Sequence, residues 1–439
     1  MDLLLTHGYF LHEDPKELQI MKPYAPLGLL YLSSYLRAKG FGVEIYDSTF
    51  GSRDALFRIL ETTPPATLGI YVNLLTRANA LAILRRAVAC GWRVILGGPE
   101  PVNYAEQYLA AGAHAIVAGE GELALEAILG GAPLAQVPGL LIPGDAAHSV
   151  NTGAARLLPD LDATPWPDRE QVEIDRYLRA WREHHGAGSV SVITARGCPY
   201  HCRWCSHSTF GKTHRRRSAR GVVDEVAWIL ERYQPEQIWF ADDVFTIHHG
   251  WLDEYAAEMR RRGLRVPFEC ITRADRVTPR VAALLAELGC DRVWIGSESG
   301  SQRILDAMQR GVTIAQVRNA VAQLKQNGIR TGMFFMWGYE GEDLPDIEAT
   351  YEHVKACRPD DFFTTVSYPI KGTPYFEEVA PKLVQLGAWE NGTDRDVHIR
   401  GRHSRRFYQF ADQLLRSQSE AEAALARERL RETYSEVEA

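Results

Sequence analysis

The sequence predicts an α/β protein in two modules: an open, doubly wound parallel sheet of Rossmann-like type, followed by a partial (β/α)6 barrel of TIM type. Three observations carry this. Short apolar runs alternate with amphipathic helical patterns over residues 1–130. The alternation restarts at Ser189 and yields six further βα units up to about residue 385. Between them, residues 131–187 are punctuated by Pro133, Pro138, Pro143, Pro159, Pro165 and Pro167 and read as a linker with a few short strands.

In chain order, Leu3–Leu5 is a strand. A helix opening after Pro26 carries Leu29, Leu32 and Leu36 at i, i+3 and i+7 and stops near Gly40. Val43–Tyr46 and Thr67–Val72 are strands. A helix with Leu81, Leu84 and Val88 follows, then strand Arg93–Leu96, a helix over Tyr104–Leu109 and strand Ala115–Val117. In such sheets ligands sit beyond the carboxyl ends of the strands. Those ends are His7-Gly8, Asn73, Gly97-Gly98-Pro99 and Gly119-Glu120-Gly121, where glycine lets the backbone approach a bulky ligand. The second module's strands are Val190–Thr194, Gln237–Ala241, Pro267–Thr272, Arg292–Ile295, Thr331–Met336 and Phe362–Val366. Residues 386–439 read as a helical cap and tail. Its charged stretch Ala421–Thr433 is expected to be a solvated helix.

The chain has 439 residues, 46% apolar and 24% charged, which is globular usage. A net charge of −7 argues against non-specific wrapping of nucleic acid. No run of 18 apolar residues predicts a membrane span, no signal peptide is evident, and a cytoplasmic location is expected.

Seven cysteines are too few for a disulfide scaffold, yet Cys198, Cys202 and Cys205 fall within eight residues. Their C-x3-C-x2-C spacing, directly after a strand, puts three thiolates on one loop. Three thiolates can hold three irons of a 4Fe–4S cubane and leave the fourth iron open to a ligand. A zinc site is the competing reading and would draw a fourth ligand from His201 or His207.

With that loop at the mouth of a partial barrel, the chain resembles the radical S-adenosylmethionine superfamily. The resemblance implies that the open iron binds S-adenosylmethionine and that the reduced cluster cleaves its sulfonium to a 5′-deoxyadenosyl radical. Trp204, before the third cysteine, would pack near the adenine. The second strand ends in Asp242-Asp243, whose carboxylates would meet the cofactor's ammonium. The third ends at Arg273, placed to pair with a carboxylate. The fourth ends in Gly296-Ser297-Glu298-Ser299-Gly300-Ser301, matching a G-x-E-S-G-S run in which Glu298 and Ser299 would reach the methionyl and ribose groups. Gly338-Tyr339-Glu340-Gly341-Glu342 resembles a G-x-P-G-E turn, with Glu340 where proline is usual.

The first module resembles the cobalamin-binding domain that precedes this barrel in one branch of the superfamily. The matching stretches are Pro23–Leu32, Gly97-Gly98-Pro99 and Val117–Glu122. Gly97, Gly98 and Gly119 would then line the cobalamin site. The string Asp396-Val397-His398-Ile399-Arg400-Gly401 matches another cobalamin motif, D-x-H-x-x-G, but lies outside the βα module and is taken as coincidence. The cobalt's lower face is expected to lack a histidine ligand. A flavodoxin-like module that has lost its ligand or binds a nucleotide is the rival, but no G-x-G-x-x-G follows a strand.

The resemblance implies a cobalamin-dependent methyltransferase acting on an unactivated carbon of a small or medium metabolite, with an external flavodoxin- or ferredoxin-type electron donor. An oxidative cyclase or ring-rearranging enzyme of tetrapyrrole, lipid or natural-product metabolism stays open, as does a cluster or cobalamin sensor without turnover.

Overall fold

The computed structural model describes residues 1–145, 148–207 and 209–438. The first module is a seven-stranded sheet: β1 Leu3–His7, β2 Val43–Tyr46, β3 Thr67–Tyr71, β4 Arg93–Gly97, β5 Ala115–Val117, β6 Leu140–Pro143 and β7 Ser149–Asn151. The spatial order is β2-β1-β3-β4-β5-β6-β7, with β1–β5 parallel and β6 and β7 antiparallel at the edge. The sheet is covered on both faces. Leu4, Leu68, Ile70, Val94, Leu96 and Ile116 pack against helices Arg53–Thr62, Arg77–Ala89 and Ala105–Ala110. Leu3, Leu5, Ile95, Ala115 and Val117 pack against helices Leu27–Ala38 and Glu122–Leu129. Burial on both faces is why these strands read as continuous apolar runs. The order reverses between β1 and β3, so a ligand crevice opens at their carboxyl ends.

The segment read as a linker takes part in this architecture. It supplies β6 and β7 to the sheet. Its helix Ile174–His185 buries Ile174, Tyr177, Leu178 and Trp181 and ends at Gly186 in a left-handed cap.

The second sheet holds β8 Ser189–Val192, β11 Gln237–Phe240, β12 Phe268–Thr272, β13 Cys290–Glu298, β14 Arg330–Trp337 and β15 Asp361–Val366, all parallel in sequential order. The outer face, with Val190, Ile238, Phe268, Val293 and Met333, packs on the surrounding helices. Among the described residues β8 and β15 are its edges, so the barrel is open. A two-residue ribbon, β9 Ala195–Arg196 with β10 Arg215–Arg216, closes the neck of the cysteine loop.

The C-terminal region starts with a ribbon of β16 Leu383–Gln385 and β17 Val397–Ile399, which contains His398 of the D-x-H-x-x-G string. The last helix, Glu420–Glu432, is not merely solvated: Ala423, Ala426 and Leu430 are buried against helix Arg405–Arg416 and the barrel core. Phe407 and Tyr408 are core residues as well. Trp389 packs instead on the first module, against Tyr104, Tyr108 and the buried Arg77. Among the described residues no helix is long and apolar enough to cross a membrane.

Candidate active site

The cysteine loop leaves β9 at Gly197, whose φ is +86° and where a Cβ would stand 2.4 Å from the Thr213 carbonyl oxygen. Only glycine fits that close approach. The loop is pinned from two sides: Arg203 donates its N–H to Met308, and Tyr375 donates its N–H to Arg203. Cys198, Cys202 and Cys205 all line one cavity of 720 Å³. Cys202 Sγ faces two guanidinium groups, Arg310 Nη1 at 3.6 Å and Arg273 Nη1 at 4.0 Å. Burial, then the neighbouring Cys202 and Cys198, pushes the Cys205 thiol up to about 12. Burial also pushes Cys198 up. Thiols so buried become thiolates when a metal coordinates them.

Among the described residues no three His, Cys, Asp or Glu side chains converge on a point where one metal ion could bind. His201 is exposed, and the ring of His207 turns its Nδ1 to the Cys205 carbonyl at 3.2 Å. A tetrahedral ion needs its donors around one centre, whereas a cubane takes one sulfur per iron over a wider footprint. Three thiols on one loop facing one cavity are a donor set that fits a 4Fe–4S cluster.

Two buried arginine–carboxylate systems frame the cavity. Glu298 is 6% exposed, with Oε1 3.6 Å from Arg310 Nε. Burial raises its carboxyl against the pull of Arg310 and Arg273. Arg273 lies 3.7 Å over the Tyr200 ring and donates to Asp275 at 2.9 Å and to the Arg310 carbonyl at 2.9 Å, so its fork is fixed in place. Trp204, Asp243, Arg273 and Glu298 all line the cavity. Asp243 is solvent-exposed at the cavity wall, and partial enclosure there, with the charge of Asp242, raises its carboxyl.

Asp242 and Ser299 do not line it. Asp242 is buried beneath the loop's neck, where it accepts from Thr194 N at 2.6 Å, Ala195 N at 3.1 Å and Arg216 Nη2 at 2.9 Å, and from the Thr194 hydroxyl. Of two adjacent carboxylates leaving a strand, one faces the cavity and the other is the clasp. Ser299 turns to the helix Leu344–Cys357, with Oγ 3.4 Å from Thr350 Oγ1.

Arg215, Arg216 and Arg217 meet three different carboxylates: Glu120, Asp242 and Glu225. Glu120 belongs to the Gly119–Glu122 turn of the first module and also holds Arg196, one residue before Gly197. These clasps, and Arg310, were missed from sequence. The Arg215–Arg217 run was the one visible signal for the clasps.

Gly97, Gly98 and Gly119 line a second cavity of 120 Å³ at the strand ends of the first sheet. Leu29, Tyr71 and Phe210 wall both cavities, so the two adjoin. At Gly97 a Cβ would meet nothing within 4 Å. At Gly98, with φ +100°, it would stand 2.4 Å from the Val72 carbonyl oxygen. A bare backbone over an apolar floor of Leu5, Ile95 and Val117 suits a broad flat ligand such as a corrin.

Residues 192–354 match the family model of the radical SAM superfamily, and residues 20–129 match that of the B12 binding domain. The chain carries both a radical SAM domain and a B12-binding domain. Its cofactors are a 4Fe–4S cluster, S-adenosylmethionine and cobalamin. This radical SAM enzyme is similar to an uncharacterized methyltransferase of Pyrococcus horikoshii, 28% identical over 392 residues, or 86% of this chain and 83% of that one. It is 27% identical over 382 residues to the anaerobic magnesium-protoporphyrin IX monomethyl ester cyclase of Rubrivivax gelatinosus, covering 83% and 68% of the two chains. It is 26% identical over 369 residues to the bacteriochlorophyllide d C-12(1)-methyltransferase of Chlorobaculum tepidum, covering 82% and 74%. Among solved structures it shares its fold with the radical S-adenosylmethionine methyltransferase TsrM of Kitasatospora setae, with a TM-score of 0.73 at 20% identity over 89% of this chain and 81% of that one. The cobalamin-dependent radical enzyme OxsB aligns with a TM-score of 0.75 at 18% identity, covering 94% and 66%.

Proposed function

We propose that this radical SAM enzyme transfers a methyl group to an unactivated carbon of a small or medium metabolite, in the cytoplasm. In this reading Cys198, Cys202 and Cys205 hold the cluster, and Gly97, Gly98 and Gly119 bear the cobalamin. The observation that carries it is the shared cavity: the cysteine loop and the strand ends of the B12 module open on adjoining volumes with common walls. When bound, the cluster supplies an electron to cleave S-adenosylmethionine and cobalamin carries the methyl group; an external flavodoxin- or ferredoxin-type donor supplies that electron. Arg273 and Glu298 bind and orient the charged methionyl and ribose groups. Arg310 holds the Glu298 carboxylate, and Ile193, Ile271 and Phe334 exclude water from the reacting centre.

Two of the relatives carry tetrapyrrole substrates in their names, which favours a substrate of that type. One of them is a cyclase, so oxidative cyclisation is the second reading. Mass spectrometry of products separates the two. Methyl transfer releases S-adenosylhomocysteine with 5′-deoxyadenosine, whereas cyclisation releases 5′-deoxyadenosine alone.

Glu298→Gln keeps the side chain's shape and removes its charge. S-adenosylmethionine affinity should fall about tenfold to a hundredfold, the worth of one charge-assisted bond. Titration against the reduced cluster by electron paramagnetic resonance checks this, and an unchanged affinity would remove Glu298 from the cofactor site.

Gly97→Phe tests the cobalamin reading. It fills open space without backbone strain, so it should lower cobalt content and leave iron intact. Equal cobalt in variant and wild type would contradict this placement. Gly98 is a poorer test, because any Cβ there strikes Val72 and disturbs the sheet itself.

A further inference from the structure

The helix Leu344–Cys357 turns a polar stripe inward. Asp346, Thr350 and His353 stand at i, i+4 and i+7, which places them on one face, and all three are buried. Buried helix faces are ordinarily apolar, because each polar group there must be paired to offset its desolvation. Every member of this stripe is paired with the same turn, Ser297–Ser301. His353 Nε2 lies 3.1 Å from Ser297 Oγ. Thr350 Oγ1 accepts from the Gly300 N–H at 2.9 Å and donates to the Asp346 carbonyl at 2.8 Å. Asp346 Oδ1 accepts from Ser301 Oγ at 2.6 Å. The turn is pressed onto the helix so closely that a Cβ on Gly300 would stand 2.4 Å from Thr350 Cα.

Among the described residues that line the cavity, this turn contains the one non-glycine backbone conformation in the left-handed region. Glu298 has φ +64°, in the left-handed region that a side chain bearing a Cβ resists. The register of β13 against β14 slips at the same point, between Gly296 and Glu298. Such a conformation persists only where the surroundings over-determine it.

We infer that Asp346, Thr350 and His353 are positioning residues for Glu298. They hold the turn in the left-handed form that aims the Glu298 carboxylate into the S-adenosylmethionine cavity. None of the three lines that cavity, so they act through Glu298. The inference rests on the reading of Glu298 as a cofactor-binding residue.

Thr350→Val is nearly isosteric and deletes only the hydroxyl, whereas Thr350→Ser keeps it. With reconstituted holoprotein, S-adenosylmethionine is titrated against the reduced cluster by electron paramagnetic resonance, and iron content is measured in parallel. Thr350→Val should weaken binding about tenfold at wild-type iron content, and Thr350→Ser should stay within about twofold of wild type. Combining Thr350→Val with Glu298→Gln should weaken binding no further than Glu298→Gln alone, since both act on one carboxylate. If Glu298→Gln weakens binding while Thr350→Val does not, or if the two effects add, the stripe only packs the helix and the inference is overturned. If Glu298→Gln has no effect, the reading of the cofactor site itself fails. Should Thr350→Val not fold, Ser297→Ala removes only the His353 contact and carries the same expectation and the same overturning result.

Discussion

Replacing any one of Cys198, Cys202 and Cys205 by Ala is expected to abolish the iron–sulfur cluster and, with it, cleavage of S-adenosylmethionine. Each thiol lines the cavity, and in the proposed reading each serves one iron, so a lost thiol leaves one iron without its ligand. The broad visible absorbance of the cluster should disappear and bound iron should fall to background. The other four cysteines give the contrast. Cys270, Cys290 and Cys357 are buried in the outer barrel core, and Cys90 sits at a helix end of the first module. Single Ala variants of these four should keep full iron content. A triple variant lacking Cys198, Cys202 and Cys205 that still bound iron would refute the ligand assignment.

The second large effect is expected at Asp242, which touches no part of the cavity. Asp242→Ala leaves Arg216 buried without its partner and frees two backbone N–H groups at Thr194 and Ala195. Desolvation already works against the charge on Arg216, and Asp242 is what opposes it. Removing one partner of a buried pair costs about 3–5 kcal/mol. Thermal unfolding should therefore shift clearly downward, and the neck of the cysteine loop should open, so that iron incorporation falls as well. Asp243→Asn, at the adjacent position that lines the cavity, should leave the unfolding temperature where it is. A wild-type unfolding curve and iron content in Asp242→Ala would show that the neck does not depend on this clasp.

The contrast between these two aspartates shows how far the sequence could be read. Strands β1–β5 and the six barrel strands were legible because burial on both faces, or on the helix-packed face, leaves apolar runs bounded by glycine and polar turns. The edge strands β6 and β7 were not, since they are short, antiparallel and broken by Pro143. The cysteine spacing carried its own chemistry, and so did the glycines at the strand ends. The two-residue period says that Asp242 and Asp243 point in opposite directions but does not say which one meets the cavity. Ser299 was placed by its match to the G-x-E-S-G-S run, and in the structure its hydroxyl faces Thr350, next to the left-handed Glu298 and the register slip. Arg310 was out of reach, because its partners Cys202, Gly296 and Glu298 come from two other stretches of chain. The charged tail misled in the opposite sense, since Ala423, Ala426 and Leu430 make a narrow buried face within a mostly polar helix.

The most direct test of the central claim, that one chain presents a 4Fe–4S cluster and a cobalamin to adjoining cavities, is iron, sulfide and cobalt analysis of protein purified without oxygen and supplied with cobalamin. The account predicts about four iron, four sulfide and one cobalt per chain, with iron and sulfide lost together in Cys202→Ala while cobalt is retained. Zinc in place of iron, or full iron with no cobalt, would contradict it.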